Sequence, residues 1–185
     1  VYKRQEVFSS AGDAAGTDGI VGYEVIARFA TRFDFARGTL TLARNASSLN
    51  PRGSRLHIAL EGQQPEVDGE FDGIRGRIAI DTGSMSAFDV MSPVVRSQRL
   101  IARYGASQRF VARGIGGTLE SYRARVRTLR LGNVVVRNVE TALDTTEKGA
   151  MAEPTIIGNV GVPLLERFVM VLDVRGRAMY LDAVR

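Results

Sequence analysis

The chain is cut into short apolar runs by turn dipeptides, and this punctuation points to an all-β fold with one or two helices. Asp72-Gly73 is the strongest of these signals. It sits between Glu66–Phe71 and Ile74–Ile80, and it reads as a hairpin turn and nothing more. Further strands are expected at Arg55–Leu60, Phe110–Ala112, Leu119–Leu131, Val134–Leu143, Phe168–Val174 and Ala178–Leu181. Residues 32–42 read as strand, turn and strand around Ala36-Arg37-Gly38. Helical spacing shows in two places. Ile20–Phe29 is one. The other starts at Ser92-Pro93, with Ser92 as N-cap and Pro93 at the first helical position. That second helix is expected to run to about Tyr104 and to end at Gly105.

Composition narrows the chemistry. At 44% hydrophobic and 24% charged residues, the chain can bury a core and is not disordered. It has no cysteine, so disulfides, thiol catalysis and Cys-ligated metals are excluded. His57 is the single histidine, and no nucleophile elbow accompanies it, so a Ser-His-Asp triad has no support. No run of 18 apolar residues is present, so no membrane segment is expected in this chain. The net charge of +5 comes from 23 Arg and two Lys, a skew that reads as codon usage rather than as a binding surface. Arg123, Arg125 and Arg127 alternate with Ala124 and Val126 like the wet face of a strand. Only Tyr122 lies near them, so nucleic acid is not an expected partner. The chain opens on Val1 and carries no signal-peptide pattern; it reads as a piece of a longer protein.

An internal repeat sets the expected organisation. Residues 19–35 can be laid on residues 158–174 at a constant offset of 139, with six of 17 positions identical. The identities are Gly19, Val21, Gly22, Arg28, Phe29 and Asp34. Chance gives roughly one, so duplication is the better account. Arg37-Gly38 and Arg175-Gly176 follow the two copies as turns, and Asp34 and Asp173 read as turn carboxylates. Each copy then closes a lobe. The expected domains are residues 1–43 as the end of a preceding lobe, 44–54 as linker and 55–185 as a whole lobe.

One stretch carries chemistry. In Ile78-Ala79-Ile80-Asp81-Thr82-Gly83-Ser84 an apolar strand delivers a carboxylate into a tight turn. Gly83 lets backbone N–H groups approach that carboxylate, and the Ser84 hydroxyl can donate to it. Thr82 can bond across a two-fold axis to a partner loop. Asp81 is thereby held as a general acid or base requires.

Asp81-Thr82-Gly83-Ser84 resembles the active-site loop of the aspartic proteases, the two-lobed pepsins and the dimeric retropepsins alike. Gly114-Ile115-Gly116-Gly117 resembles the retropepsin flap, and Thr155-Ile156-Ile157-Gly158-Asn159 resembles the apolar-apolar-Gly segment beneath the loop. A short helix is expected at Pro163–Arg167. The whole chain resembles bacterial two-lobed members of this clan. The resemblance implies a pepsin- or retropepsin-like lobe with a closed β-barrel, and an aspartic endopeptidase with no metal, no cofactor and no covalent intermediate. The catalytic loop is then Asp81, Thr82, Gly83 and Ser84. Ile115, Gly116 and Gly117 cover the peptide or protein substrate. A dyad needs two aspartates, one ionised and one protonated, and only one Asp-Thr-Gly is present. Equal lobes put the second about 58 residues before Val1. Its source is then the missing first lobe or a second copy of the chain. A protease-like module without activity, for peptide binding or dimerisation, is the alternative. Export to the periplasm or medium follows from the resemblance alone.

Overall fold

The computed structural model describes residues 21–114 and 117–184. In chain order the strands are β1 Ala30–Asp34, β2 Thr39–Ala43, β3 Ser54–His57, β4 Ala59–Glu61, β5 Gln64–Phe71, β6 Ile74–Ile80 and β7 Phe88–Val90. They continue with β8 Arg109–Gly114, β9 Gly117–Leu131, β10 Val134–Asp144, β11 Ile156–Val160, β12 Phe168–Asp173 and β13 Ala178–Ala183. Four short helices accompany them: α1 Tyr23–Ile26, α2 Ser92–Ser97, α3 Leu100–Arg103 and α4 Val162–Leu165. The fold is all-β, as its turn pattern requires.

Two sheets result. One has the order β4-β5-β6-β11-β7-β10-β9-β8, and a further β5–β9 pairing closes β5 to β9 into a barrel. The other has the order β2-β1-β12-β13-β3. The chain passes from one sheet to the other at Ile58, which is fully buried and whose N–H bonds the Arg177 carbonyl. One main core fills the barrel and the space under the second sheet. Phe71 and Phe88 meet there edge to face, with centroids 5.3 Å apart.

The second sheet carries the sequence repeat as a two-fold relation. In the β1–β12 pair, Arg32 faces Val171, its own repeat equivalent at the offset of 139. Ala30 faces Asp173, the equivalent of Asp34, and Asp34 faces Val169, the equivalent of Ala30. The β1–β2 and β12–β13 hairpins share one register under the same offset. The side chains of Asp34 and Asp173 accept from Arg37 N–H and Gly176 N–H respectively, each three residues on. The left-handed turn residue is therefore Gly38 in one copy and Arg177 in the other. The two Arg-Gly dipeptides are out of step by one residue. The segment 44–54 packs as well: a 3-10 turn at Ala46–Leu49 buries Ala46 and Leu49 against Ala30 and Val171.

Several local expectations differ. The strand expected at Arg55–Leu60 is two, β3 and β4, in different sheets, and the helix expected over Ile20–Phe29 is confined to Tyr23–Ile26 among the described residues. The helix after Ser92 is broken in two at Arg99, which takes a left-handed conformation. Val95 and Leu100 are both buried, yet residues five apart on one straight helix diverge by about 140°. The break turns both inward. Ser92 does not cap, because its hydroxyl donates to the Thr146 carbonyl at 2.5 Å, and Met91 takes the N-cap position.

Asp72 is more than a turn residue. Asp72 and Gly73 both have positive φ, as a tight two-residue hairpin requires. The Asp72 side chain is 1% exposed and accepts from Thr128 N–H at 2.9 Å, Arg127 N–H at 3.1 Å and the Tyr104 hydroxyl at 2.9 Å. Burial pushes its carboxyl up, but these donors outweigh burial and hold it below the ordinary value. Burial, and then the bond to Asp72, push the Tyr104 hydroxyl well up. Asp72→Ala is expected to cost about 2–4 kcal/mol in denaturant unfolding, because it strands buried donors. The sign with pH follows from the lowered carboxyl. Its contribution is present above the unfolded value near pH 4 and lost as pH falls through the lower folded value, so the gap between wild type and variant closes in strong acid.

Candidate active site

β6 and β11 run parallel, and this pair builds the site. Asp81 follows β6, and its N–H bonds the Val160 carbonyl at 2.9 Å. The turn then folds back: Gly83 N–H donates to Asp81 Oδ1 at 2.8 Å, and Ser84 N–H to the Asp81 carbonyl at 3.3 Å. From below, the first residue of α4 ties the loop down, with Val162 N–H on the Ser84 carbonyl at 2.9 Å. Two glycines make this approach possible. A Cβ on Gly161 would lie 2.4 Å from the Ser86 carbonyl oxygen, and one on Gly158 would lie 2.5 Å from the Phe88 ring. The apolar-apolar-Gly segment is therefore required by close packing.

Asp81 is half-buried, while Thr82 and Gly83 are exposed. A Cβ on Gly83 would meet only Asp81 Oδ1, at 3.2 Å. A side chain there presses on the carboxylate rather than on the core. Ser84 differs from expectation: its hydroxyl donates to Asp89 Oδ2 at 3.2 Å instead of to Asp81. The side-chain partner of Asp81 is Asn159, whose Nδ2 stands 3.5 Å from Asp81 Oδ2. Asp81 and Thr82 open onto a cavity of about 530 Å³, whose other walls include Tyr23, Ile26, Phe33 and Pro65.

Of the flap expectation, Ile115 and Gly116 lie outside the described residues. Gly117 opens β9 opposite Gly114 of β8, at the edge of the barrel sheet. No hydrogen bond among the described residues links this hairpin to the Asp81 loop. Arg123, Arg125 and Arg127 are exposed on β9, and Arg123 pairs with Glu140 at 2.9 Å. His57 lies on β3 in the other sheet.

Sequence reasoning missed the burial of two carboxyls, Asp89 on β7 behind the loop and Asp144 at the end of β10. The only hint of Asp89 was an acid flanked by Phe88 and Val90. Asp144 accepts from the Ser121 hydroxyl, and its second oxygen has no partner among the described residues. Burial, with repulsion by Asp89, pushes the Asp144 carboxyl up to about 7 against the lowering effect of Ser121.

A family model described as aspartyl protease matches residues 67–162, just over half of the chain. The chain belongs to the aspartyl protease family. Its solved neighbours include a retropepsin-like aspartic protease from Rickettsia conorii, at 13% identity and TM-score 0.49, covering 69% of this chain and 89% of that one. Another is the retroviral protease-like domain of Ddi1 from Leishmania major, at 13% identity and TM-score 0.42, covering 65% and 93%. No curated protein matches the chain in sequence. No helix among the described residues is long and apolar enough to cross a membrane.

Asp144, at the end of β10, is a buried acid that titrates late. The folded protein keeps the Asp144 proton up to about 7, whereas an unfolded chain releases it near pH 4. Stability therefore falls as pH rises through that window and levels off above it. Asp144→Asn removes the cost, so thermal melts are expected to show it more stable than wild type near pH 8 and little changed near pH 4.

Proposed function

We propose that the chain is one lobe of an aspartic endopeptidase, with Asp81 as one half of a water-activating dyad. The observation that carries this reading is the Asp81 carboxylate, fixed by Gly83 N–H and facing an open cavity within the family-matched segment. In the reaction, the ionised aspartate takes a proton from a bound water as the water oxygen attacks the peptide carbonyl. The protonated aspartate gives its proton to the carbonyl oxygen. Collapse of the tetrahedral intermediate then breaks the C–N bond as the amine leaves protonated. Thr82, exposed beside Asp81, braces the partner loop. Ile115 to Gly117 close over an extended peptide and pair with its backbone.

The second aspartate comes from a preceding lobe, with residues 1–43 as that lobe's end and 44–54 as the link. Three observations support this source over a second copy. The repeat is already used as an internal two-fold relation between β1 and β12. Among the described residues, β13 is covered on its outer side by β3, whereas its equivalent β2 is an edge strand with Leu40 and Leu42 exposed. Gly161 is crowded by the Asp81 loop, whereas its equivalent Gly22 has no described atom within 4 Å of a Cβ. A second acid loop on Gly22 restores the symmetry.

Two variants of the full-length protein test the reading. Asp81→Asn is nearly isosteric and is expected to abolish cleavage of peptide substrates while leaving the melting temperature close to wild type. Residual cleavage within about tenfold of wild type removes Asp81 from the chemistry. Gly22→Val meets nothing among the described residues, and it is expected to abolish cleavage by displacing the partner loop. Binding of a transition-state-like peptide without any turnover identifies a non-catalytic peptide-binding module instead.

A further inference from the structure

β7 is buried along its whole length, Asp89 included, between β11 and β10. A carboxyl in such a strand is costly unless its oxygens are bonded. Its hydroxyl donor comes from the loop that follows Asp81: Ser84 donates to Asp89 Oδ2 at 3.2 Å. Ser84 Oγ also accepts from Ser86 N–H at 3.2 Å, which ties the two serines together. Asn159 stands directly opposite Asp89 in the β11–β7 pair, which puts the two side chains on one face of the sheet. That same amide reaches Asp81 Oδ2 at 3.5 Å. Among the described residues, the hydroxyl that bonds Asp89 belongs to the Asp81 loop, and the amide opposite Asp89 contacts the Asp81 carboxylate.

We propose that Asp89 is a positioning residue for Asp81: it anchors the loop through Ser84, to which Ser86 is tied, and it shares the Asn159 amide with the Asp81 carboxylate. The peptidase reading enters only where cleavage is the readout. Two charged groups face Asp89: Asp81 from the loop after β6, and Asp144 from the end of β10. Burial, and to a lesser degree Asp81, push the Asp89 carboxyl above its ordinary value. In acid Asp89 is neutral and leaves the Asn159 amide to Asp81. As pH rises Asp89 ionises, draws that amide toward itself and sets a second negative charge behind the loop.

The test compares wild type, Asp89→Asn and Asp89→Val in the full-length protein. It reads kcat and KM against pH on a peptide substrate, the melting temperature, and the Asp81 side-chain carboxyl carbon by NMR against pH. Asp89→Val, which releases the loop, is expected to lower kcat by at least about tenfold with KM nearly unchanged. Asp89→Asn, which fixes the neutral state, is expected to keep kcat in acid, to move the alkaline limb upward, and to shift the Asp81 titration. If Asp89→Val does not fold, Asp89→Asn decides by itself. An Asp81 titration identical in wild type and Asp89→Asn overturns the proposal and makes Asp89 a packing residue. A shifted titration in a protein that cleaves nothing keeps the proposal and removes the peptidase reading instead.

Discussion

The passage of β11 between β6 and β7 is the constraint on which the rest of the lobe depends. β11 runs parallel to β6 and antiparallel to β7, so it joins the strand before Asp81 to the strand after the loop. The insertion works only because Gly158 presents no side chain to the Phe88 ring. Once β11 is in place, three successive residues act on the loop. Asn159 reaches the Asp81 carboxylate, the Val160 carbonyl accepts the Asp81 N–H, and Gly161 lets the start of α4 close against Ser84 and Ser86. A flexible turn is thereby held from strand, side chain and helix at once. That is how a carboxylate on a loop gains the rigidity that acid–base chemistry needs.

The same logic of backbone pairing organises the second sheet. A duplicated segment does not have to pair with its copy. Here it does, and Arg32 opposite Val171 marks the centre of the relation. Antiparallel pairing of two equivalent strands is self-complementary, so a register that suits one half suits the other. The differences between the halves are then informative. Where β13 has β3 and Gly161 has the Asp81 loop, β2 and Gly22 have no such neighbour among the described residues, and Leu40 and Leu42 stand exposed on β2.

Three buried carboxyls in this lobe meet the cost of burial in different ways. Asp72 gathers backbone and hydroxyl donors and is held below its ordinary value. Asp144 has one donor and an unpartnered oxygen, and it is pushed up. Asp89 accepts from the Ser84 hydroxyl and is still raised by burial. The balance between burial and converging donors decides the sign. Residues of one chemical type therefore serve as a structural clasp, a late-titrating acid and a loop anchor within one small barrel.

Much of this was legible in the sequence. Turn dipeptides gave the strands because a two-residue turn with positive φ is a local property, as Asp72-Gly73 and Gly38 show. Asp81-Thr82-Gly83-Ser84 marked the candidate site because a carboxylate folded onto its own turn is also local, and the Gly83–Asp81 bond spans two residues. The repeat announced itself by identities at one offset. What remained hidden depends on partners distant along the chain. Asp72 is bonded by residues more than 50 positions away, Asn159 meets Asp81 across 78, and Ser92 turns from its cap to Thr146 across 54. The break at Arg99 and the burial of Asp89 likewise follow from which face each element must turn inward. By itself the sequence determined most strands, the turns and the acidic loop, since short-range backbone geometry is written in neighbouring residues; β7 and β11 were not among the expected strands, and β3 and β4 read as one. Only the tertiary structure decided which buried acids are clasped, which stay unpaired, and that Ser84 serves Asp89 rather than Asp81, because those outcomes depend on donors that folding alone brings together.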